Sequence, residues 1–166
     1  MQIFREIESV KVPAMKGFVF DDCFSPDNAA GVQFAPTIGL DPGFLRQFMA
    51  ENPLSRPSDH PEAVIKIHKI STEVGAPSVR LMFTPPERLG TRLVDIWYLL
   101  TQQPCGMSAS ATTLLSNGYN NVFFVRCGHA LERVNIYYQK NEGWCVKLVF
   151  DPYDIFISRW SRLFTG

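Results

Sequence analysis

Charged residues are few in this chain of 166 residues, making up 19% of it against the roughly 25% that is typical of soluble domains. Sixteen basic residues balance sixteen acidic ones, and there is no run of lysine or arginine. Because nucleic-acid binding depends mainly on neutralising phosphates, we expect no nucleic-acid partner. A thin polar covering leaves apolar surface, and exposed apolar surface usually marks a site of protein contact.

Long hydrophobic runs are absent too. None approaches the ~20 apolar residues that span a bilayer, and the first residues alternate apolar with charged side chains instead of forming a signal-peptide core. The four cysteines show no C-x-x-C spacing, and intracellular thiols are normally reduced. We therefore expect a cytoplasmic protein with no membrane span.

The sequence also lacks the motifs of common catalytic and cofactor sites. FDDCFSPDN gathers carboxylates without the spacing of a calcium loop, and GVQFAPTIG has two glycines without the pattern of a phosphate or dinucleotide loop. CGMSASATT is rich in hydroxyls but lacks the G-x-S-x-G spacing of a serine nucleophile. We therefore expect no metal and no cofactor, and the sequence favours a binding protein over an enzyme. A site assembled from distant residues stays open.

What the chain does contain is a succession of short apolar patterns that fit one α+β domain, residues 1–166. SVKVPAMKGFVFDD predicts two short strands, the first of which ends or lies at an edge because Pro13 cannot donate to a ladder. Asp41 and Pro42 then predict the start of a helix, with the carboxylate as N-cap. One face of that helix carries Phe44, Leu45, Phe48 and Met49.

The middle of the chain predicts a hairpin and a second helix. After the proline-rich ENPLSRPSDHPEA, the segments AVIKIHKI and SVRLMFT alternate apolar and polar residues as hairpin strands do. Thr84 and Glu87 then form the pattern of a capping box at a helix start. This helix is expected to close before Pro104, and its apolar stripe consists of Leu89, Leu93, Ile96, Trp97 and Leu100.

The C-terminal half predicts a four-stranded antiparallel meander. Asn117-Gly118 suits a type I′ turn, so ATTLLS and YNNVFFVRC are expected to form a hairpin, with two more strands after it. The whole chain is therefore expected to be α+β. Its mainly antiparallel sheet would consist of this meander plus the preceding hairpin, with two or three helices packed mostly on one face.

The register of the last two strands follows from their apolar residues, which share a face only if the loop between them has an odd length. The simplest such loop is Asn141-Glu142-Gly143, and it places Arg133 opposite Asp151. Beyond Asp151 the spacing predicts a third helix, although residues 155–157 could equally extend a strand. The apolar face of this helix would carry Phe156, Trp160, Leu163 and Phe164.

Cys127 and His129 form the sharpest chemical pair, but the meander places them at a turn. In this arrangement Cys145 lies at the opposite end of the sheet, roughly 20 Å away, so the two cysteines cannot share a metal or a disulfide. The connection itself would run from Gly128 to Leu131. A histidine and carboxylate cluster at that end of the sheet remains a candidate catalytic site, formed by His129, Glu132 and Asp151.

A second candidate surface is the sheet face that points away from the helices. Cationic groups beside an aromatic ring could receive an acidic partner or an anionic small ligand. The alternative is an ordinary solvated sheet face. The candidate binding residues on this face are Lys66, His68, Arg80, Arg133, Tyr137 and Lys147.

Three functions are consistent with these patterns. The leading hypothesis is a small accessory or binding protein that works through protein contact, such as an adaptor, a secretion chaperone or an immunity-type inhibitor, with self-association into a homodimer as one form. The second is a hydrolase or ligand-modifying enzyme whose site lies either at the histidine and carboxylate end of the sheet or on the face bearing His68 and Tyr137. The third is a small-molecule carrier with an enclosed apolar cavity.

Overall fold

The computed structural model describes residues 2–51, 56–106, 113–149 and 156–166. Strands and helices alternate irregularly along these ranges. The strands are β1 (Phe4–Val12), β2 (Met15–Phe18), β3 (Ser58–His60), β4 (Ala63–Ile70), β5 (Val74–Gly75), β6 (Gly90–Thr91), β7 (Asn121–Cys127), β8 (Ala130–Gln139), β9 (Gly143–Val149), β10 (Phe156–Ile157) and β11 (Arg162–Thr165). The helices are α1 (Phe20–Cys23), α2 (Pro42–Glu51), α3 (Ala76–Met82) and α4 (Leu93–Gln102), with a 3-10 turn at Pro86–Arg88.

The main sheet has seven strands in the order β1-β4-β11-β7-β8-β9, with β6 also paired to β7. Most neighbours are antiparallel, but β11 and β6 both run parallel to β7. Two small antiparallel pairs, β2 with β3 and β5 with β10, lie outside it. The α+β prediction is therefore confirmed in outline, and the sheet is mixed where the sequence predicted a mainly antiparallel meander and hairpin.

Both faces of the sheet are covered. The larger core receives the buried side chains of α1, α2 and α4, and aromatic rings such as Phe44, Trp97 and Trp144 fill it. The smaller core lies on the opposite face, where Val79 of α3 packs with Phe124 and other apolar residues of the sheet. Burial on both faces explains why several strands are apolar almost throughout.

Two helices follow their sequence signals, one of them with a shifted start. The Asp41 carboxylate accepts the Phe44 backbone N–H at 2.9 Å, which confirms the predicted cap of α2. The second predicted helix begins at Leu93 and not at Thr84, because the buried Asp95 carboxylate accepts the Arg92 backbone N–H at 2.8 Å. Leu89 therefore precedes the helix, and the remaining stripe is buried as predicted: Leu93, Ile96, Trp97 and Leu100.

The segment SVRLMFT was predicted as a strand, and this is wrong: residues 78–82 lie in α3 and Phe83 is its C-cap. Gly75 is the N-cap and Pro77 occupies the first turn, where a missing N–H costs nothing. Ala76 and Val79 are buried at helical spacing, whereas Leu81, which the alternation placed in the core, is 77% exposed. The period-2 pattern coincided with a helical one over too few residues to separate them.

The predicted hairpin at Asn117-Gly118 is also absent from the described residues, although residues 107–112 lie outside them. Side-chain amides bind the backbone of residues 114–115 in place of a strand ladder. Gln103 Oε1 accepts the Leu114 N–H at 2.7 Å, and Asn121 Oδ1 accepts the Leu115 N–H at 2.7 Å. The strand beside β7 is instead β11, so the described meander has three strands, β7, β8 and β9.

The predicted third helix is wrong for residues 156–166, which form β10 and β11. Strand β11 lies inside the sheet, antiparallel to β4 and parallel to β7. Leu163 and Phe164 are fully buried on opposite faces of the sheet, one in each core. Asp151 and Ile155, which belonged to the same prediction, lie outside the described residues.

The two turns of the meander are tighter or shifted relative to the sequence prediction. Cys127 pairs with Ala130, so the first connection is the two-residue turn Gly128-His129, shorter than predicted. Gln139 pairs with Gly143, so the second has the predicted three residues but begins at Lys140. The assignment of faces in β8 and β9 is confirmed, whereas Arg133 pairs with Val149 and not with Asp151.

The two edges of the main sheet are protected in different ways. At β1 the first strand is longer than predicted and ends before Pro13, and its charged side chains and a register shift between Glu6 and Glu8 discourage further pairing. At β9 the segment 33–41 covers the edge. Trp144 N–H donates to the Gln33 carbonyl at 2.8 Å, and Val146 N–H donates to the Gly39 carbonyl at 2.6 Å.

Candidate binding cleft

Two of the three residues of the predicted histidine and carboxylate cluster belong to the described part of the chain. His129 lies exposed in the two-residue turn, and Glu132 is half-buried opposite Val125 on the adjacent strand. Asp151 lies outside the described residues. Within the described ranges there is no group of three or more residues suited to hold a metal, and neither of the two clefts described below is lined by His129 or Glu132.

The six predicted binding residues do not form one outward cationic face. His68 is only 8% exposed, because α3 and its neighbours cover that part of the sheet. Its Nε2 lies 3.1 Å from Thr165 Oγ1, and its ring contacts Phe83. Burial, and to a smaller extent Lys66, lower the pKa of His68, while Glu6 opposes this. A neutral buried imidazole cannot serve as the cationic contact that the sequence predicted.

The two arginines of that set are also engaged within the fold. Arg133 is 2% exposed, and it donates to Asn135 Oδ1 at 3.1 Å and to the Phe156 carbonyl at 3.2 Å. Arg80 comes from α3 instead of a strand, and it donates to the Leu131 carbonyl at 3.1 Å. Of the remaining three, Lys66 and Lys147 are exposed and Tyr137 is half-buried. The expectation that all six point to solvent is therefore wrong for His68 and Arg133.

The larger of the two clefts lies beside α2, where three segments far apart in sequence meet. One wall comes from α1 and the loop after it, another from the segment that covers the β9 edge, and the third from α2. Its volume of about 590 Å³ lies within the range typical of ligand pockets. The lining consists of Asp21, Phe24, Ser25, Pro26, Phe34, Ala35, Pro36, Thr37, Gly39, Leu40, Leu45 and Met49.

The floor of this cleft is held rigidly by the large core. Phe24 is 3% exposed, and its ring lies 5.3 Å from that of Phe44 and 5.7 Å from that of Trp97. Above it, Leu40, Leu45 and Met49 are only half-buried, so their apolar surfaces remain accessible. The cleft therefore presents accessible apolar groups on a fixed base, which is an arrangement that limits the entropy lost on binding.

The covering of the β9 edge gives the second wall its shape. Gly39 N–H donates to the Ala35 carbonyl at 2.8 Å, which closes a tight turn that leaves Ile38 at the surface. A side chain at position 39 would collide with the Ala35 backbone, so only glycine permits this close approach. Ile38, between the lining residues Thr37 and Gly39, is 49% exposed.

The charged groups in and beside the cleft are acidic. Asp21 is the single charged residue of its lining, and Asp22 and Asp27 are exposed nearby in the chain. Between them, burial raises the pKa of the Cys23 thiol to about 11, with Asp22 adding to the effect and a backbone hydrogen bond to Val19 opposing it. The thiol is therefore protonated at neutral pH, and the formal charge at this wall is negative.

A second, smaller cleft of about 180 Å³ lies between β2, β3 and the start of α4. It contains His60, whose Nε2 lies 2.9 Å from Ser58 Oγ. Ser58 Oγ also donates to the Phe18 carbonyl at 3.2 Å, so its proton has a structural use and the serine is not poised as a nucleophile. The neighbouring Arg92 is held by Asp95. These bonds engage Ser58, His60 and Arg92 within the fold, whereas Arg126, which also lines this cleft, is exposed.

The large cleft was not predicted from the sequence. FDDCFSPDN and GVQFAPTIG supply two of its walls. In the sequence they indicate only what they lack: the spacing of a calcium loop and the pattern of a phosphate or dinucleotide loop. Their proline and glycine positions between apolar residues were the available signal that these loops carry an exposed apolar surface.

Two negative findings complete the description. The longest described helices, α2 and α4, have ten residues each, and no helix in the described part of the chain has the length and apolar character needed to cross a membrane. Comparison with protein-family models, with curated proteins and with solved structures finds no match to this chain.

Proposed function

We propose that this chain is a binding protein that acts through protein–protein contact, and that the cleft beside α2 seats apolar side chains of its partner. The observation that carries the proposal is the combination of a floor packed into the aromatic core, accessible Leu45 and Met49, and the exposed Ile38 between the lining residues Thr37 and Gly39. Interface cores are enriched in aromatic residues and methionine and depleted of charge, as this cleft is. Affinity in such interfaces concentrates where an apolar anchor fills a pocket.

The openness of the cleft favours a protein partner over a carried small molecule. A carrier was expected to enclose an apolar cavity between the sheet and the helices, whereas this cleft opens at the surface. Four free cysteines, all within the described residues, support the cytoplasmic location that we include in the proposal.

The proposal predicts that Ile38→Asp abolishes partner capture. The new carboxylate would be buried without a partner in the apolar interface, so we expect a loss of at least tenfold in affinity. Tagged wild-type protein, Ile38→Asp and Leu81→Asp are used to capture proteins from lysate of the source cells, with quantitative mass spectrometry. Leu81 is the matched control, since it is an exposed leucine on α3, away from the cleft lining.

Supporting the proposal requires a protein retained by wild type and Leu81→Asp but lost from Ile38→Asp, and direct binding when that protein is purified. If every captured protein is retained equally by Ile38→Asp, the cleft is not the contact surface. If wild type carries only a small molecule that Ile38→Asp loses, the cleft binds a ligand and the protein-contact proposal is wrong. A second copy of the chain retained in the same way would identify a homodimer.

A further inference from the structure

We infer that the segment seated in the cleft carries a lysine or arginine next to its apolar anchor. This inference rests on the proposed function and adds the chemistry of the partner. It follows from the position of Asp21 and its lack of a partner among the described residues, from the absence of cations in the cleft lining and from the size of the cleft.

Asp21 is an unusual neighbour for an apolar cleft because it is half-buried without being paired. Its carboxylate makes no hydrogen bond or ion pair with any other residue in the described part of the chain. Asp41, at the far side of the same region, is different, since its carboxylate caps the Phe44 N–H of α2. Asp41 therefore caps α2, whereas Asp21 lies in the first turn of the four-residue helix α1, and its carboxylate has no hydrogen-bond or ion-pair partner among the described residues.

Among the described residues, no cation is paired with the acidic groups of this wall. None of the lining residues is basic, and Asp22 and Asp27 add to the negative charge around Asp21. Arg46 lies on α2, but its Nε is directed along the helix to the Pro42 carbonyl at 3.4 Å. An incoming ammonium or guanidinium group is therefore attracted to Asp21, while a carboxylate is repelled. Complementary charge at an interface of this kind sets partner choice as well as association rate.

The apolar part of the segment is set by the rest of the lining. Leu40, Leu45 and Met49 are accessible, and methionine adapts to irregular shapes. The volume of about 590 Å³ is in the range that holds a whole ligand, so it accommodates a short peptide segment and not only one side chain. The cleft thus matches a segment with one or two large apolar side chains flanked by a basic residue.

The inference predicts the composition of peptides selected on the protein. A phage-displayed library of random peptides is panned on wild type and depleted on Ile38→Asp, and one enriched peptide is synthesised for calorimetric titration. We expect leucine, methionine or aromatic residues adjacent to lysine or arginine. Asp21→Lys should weaken this peptide about tenfold, since an attraction is replaced by a repulsion. Glu87→Lys, an exposed charge reversal on the 3-10 turn, should leave the affinity within about twofold.

A reciprocal exchange separates charge recognition from damage to the fold. The peptide with its basic residue changed to glutamate should bind Asp21→Lys more tightly than wild type. Asp21→Asn, which keeps the size of the side chain, should also weaken the original peptide, although less than Asp21→Lys does.

Different results would overturn the inference about a basic residue and the proposed binding function of the cleft. Peptides that require Ile38 but lack basic residues and bind Asp21→Lys unchanged overturn the inference and leave the cleft as the binding site. A selection in which no peptide distinguishes wild type from Ile38→Asp overturns the proposed function and the inference together.

Discussion

Replacing Phe164 by alanine should lower the free energy of unfolding by about 3–5 kcal/mol. Phe164 is fully buried in β11, and its ring stacks on Phe123 with centroids 4.4 Å apart. Because β11 joins β4 to β7, the cavity would form in the middle of the sheet and not at a frayed terminus. Urea denaturation followed by circular dichroism measures the change.

The control for this result is Phe156→Ala in the neighbouring β10. Phe156 is 53% exposed, so its truncation should change the stability by no more than about 0.5 kcal/mol. The two variants remove the same side chain eight positions apart. If residues 156–164 formed the helix that the sequence predicted, both phenylalanines would share its apolar face, and similar losses for the two variants would contradict the central placement of β11.

Replacing Asn121 by alanine should cost about 2–4 kcal/mol, because it leaves one buried and two partly buried backbone groups without their partner. Asn121 is fully buried; it accepts the Leu115 N–H and donates to the carbonyls of Leu115 and Ile136, at 3.0 and 3.1 Å. The side chain therefore holds the segment before β7 against the meander. Thermal and urea unfolding of the variant measure the loss.

Asn117→Ala is the matched control for Asn121→Ala. Asn117 is exposed, and its Oδ1 accepts only a long bond of 3.4 Å from the Tyr119 N–H, so the expected loss is below about 0.5 kcal/mol. If Asn117-Gly118 were the type I′ turn of a hairpin, the order of the two effects would reverse. A larger loss for Asn117→Ala would therefore contradict the described conformation of this segment.

Elements whose signals are local could be predicted from the sequence. The cap at Asp41 and the stripe from Leu93 to Leu100 depend on residues within one or two helical turns. The shared faces of β8 and β9 follow from strict alternation around a three-residue loop. In each of these cases the interactions that decide the conformation lie close together in the chain.

The misplaced strand β11 depends on distant partners. The spacing of Phe156, Trp160, Leu163 and Phe164 fits a helix, but β11 pairs with β4 and β7, and these pairings outweigh a local preference. No window of the sequence around β11 contains these strands. The segment before β7 fails for another reason: amides of Gln103 and Asn121, which lie close by in the chain, bind its backbone, but the residue pattern does not indicate these bonds.

The cleft could not be predicted, for the same reason as β11. Asp21, Thr37 and Met49 come from three segments, and their approach depends on the pairing of residues 33–41 with the edge of β9. A charged sheet face was predicted instead, on the premise that no helix covers one face of the sheet. The small core under α3 buries part of that face and removes His68 from the surface.

The binding cleft is tested most directly by the methionine methyl signals of protein labelled with ¹³C at the methionine ε-methyl group. Met49 lines the cleft, whereas Met82 is 51% exposed on α3 and Met15 lies in β2, so the protein contains its own controls. Addition of the captured partner, or of an enriched peptide, should shift or broaden the Met49 signal and leave Met82 and Met15 unchanged. A response at Met82 or Met15 with Met49 unmoved would contradict the account.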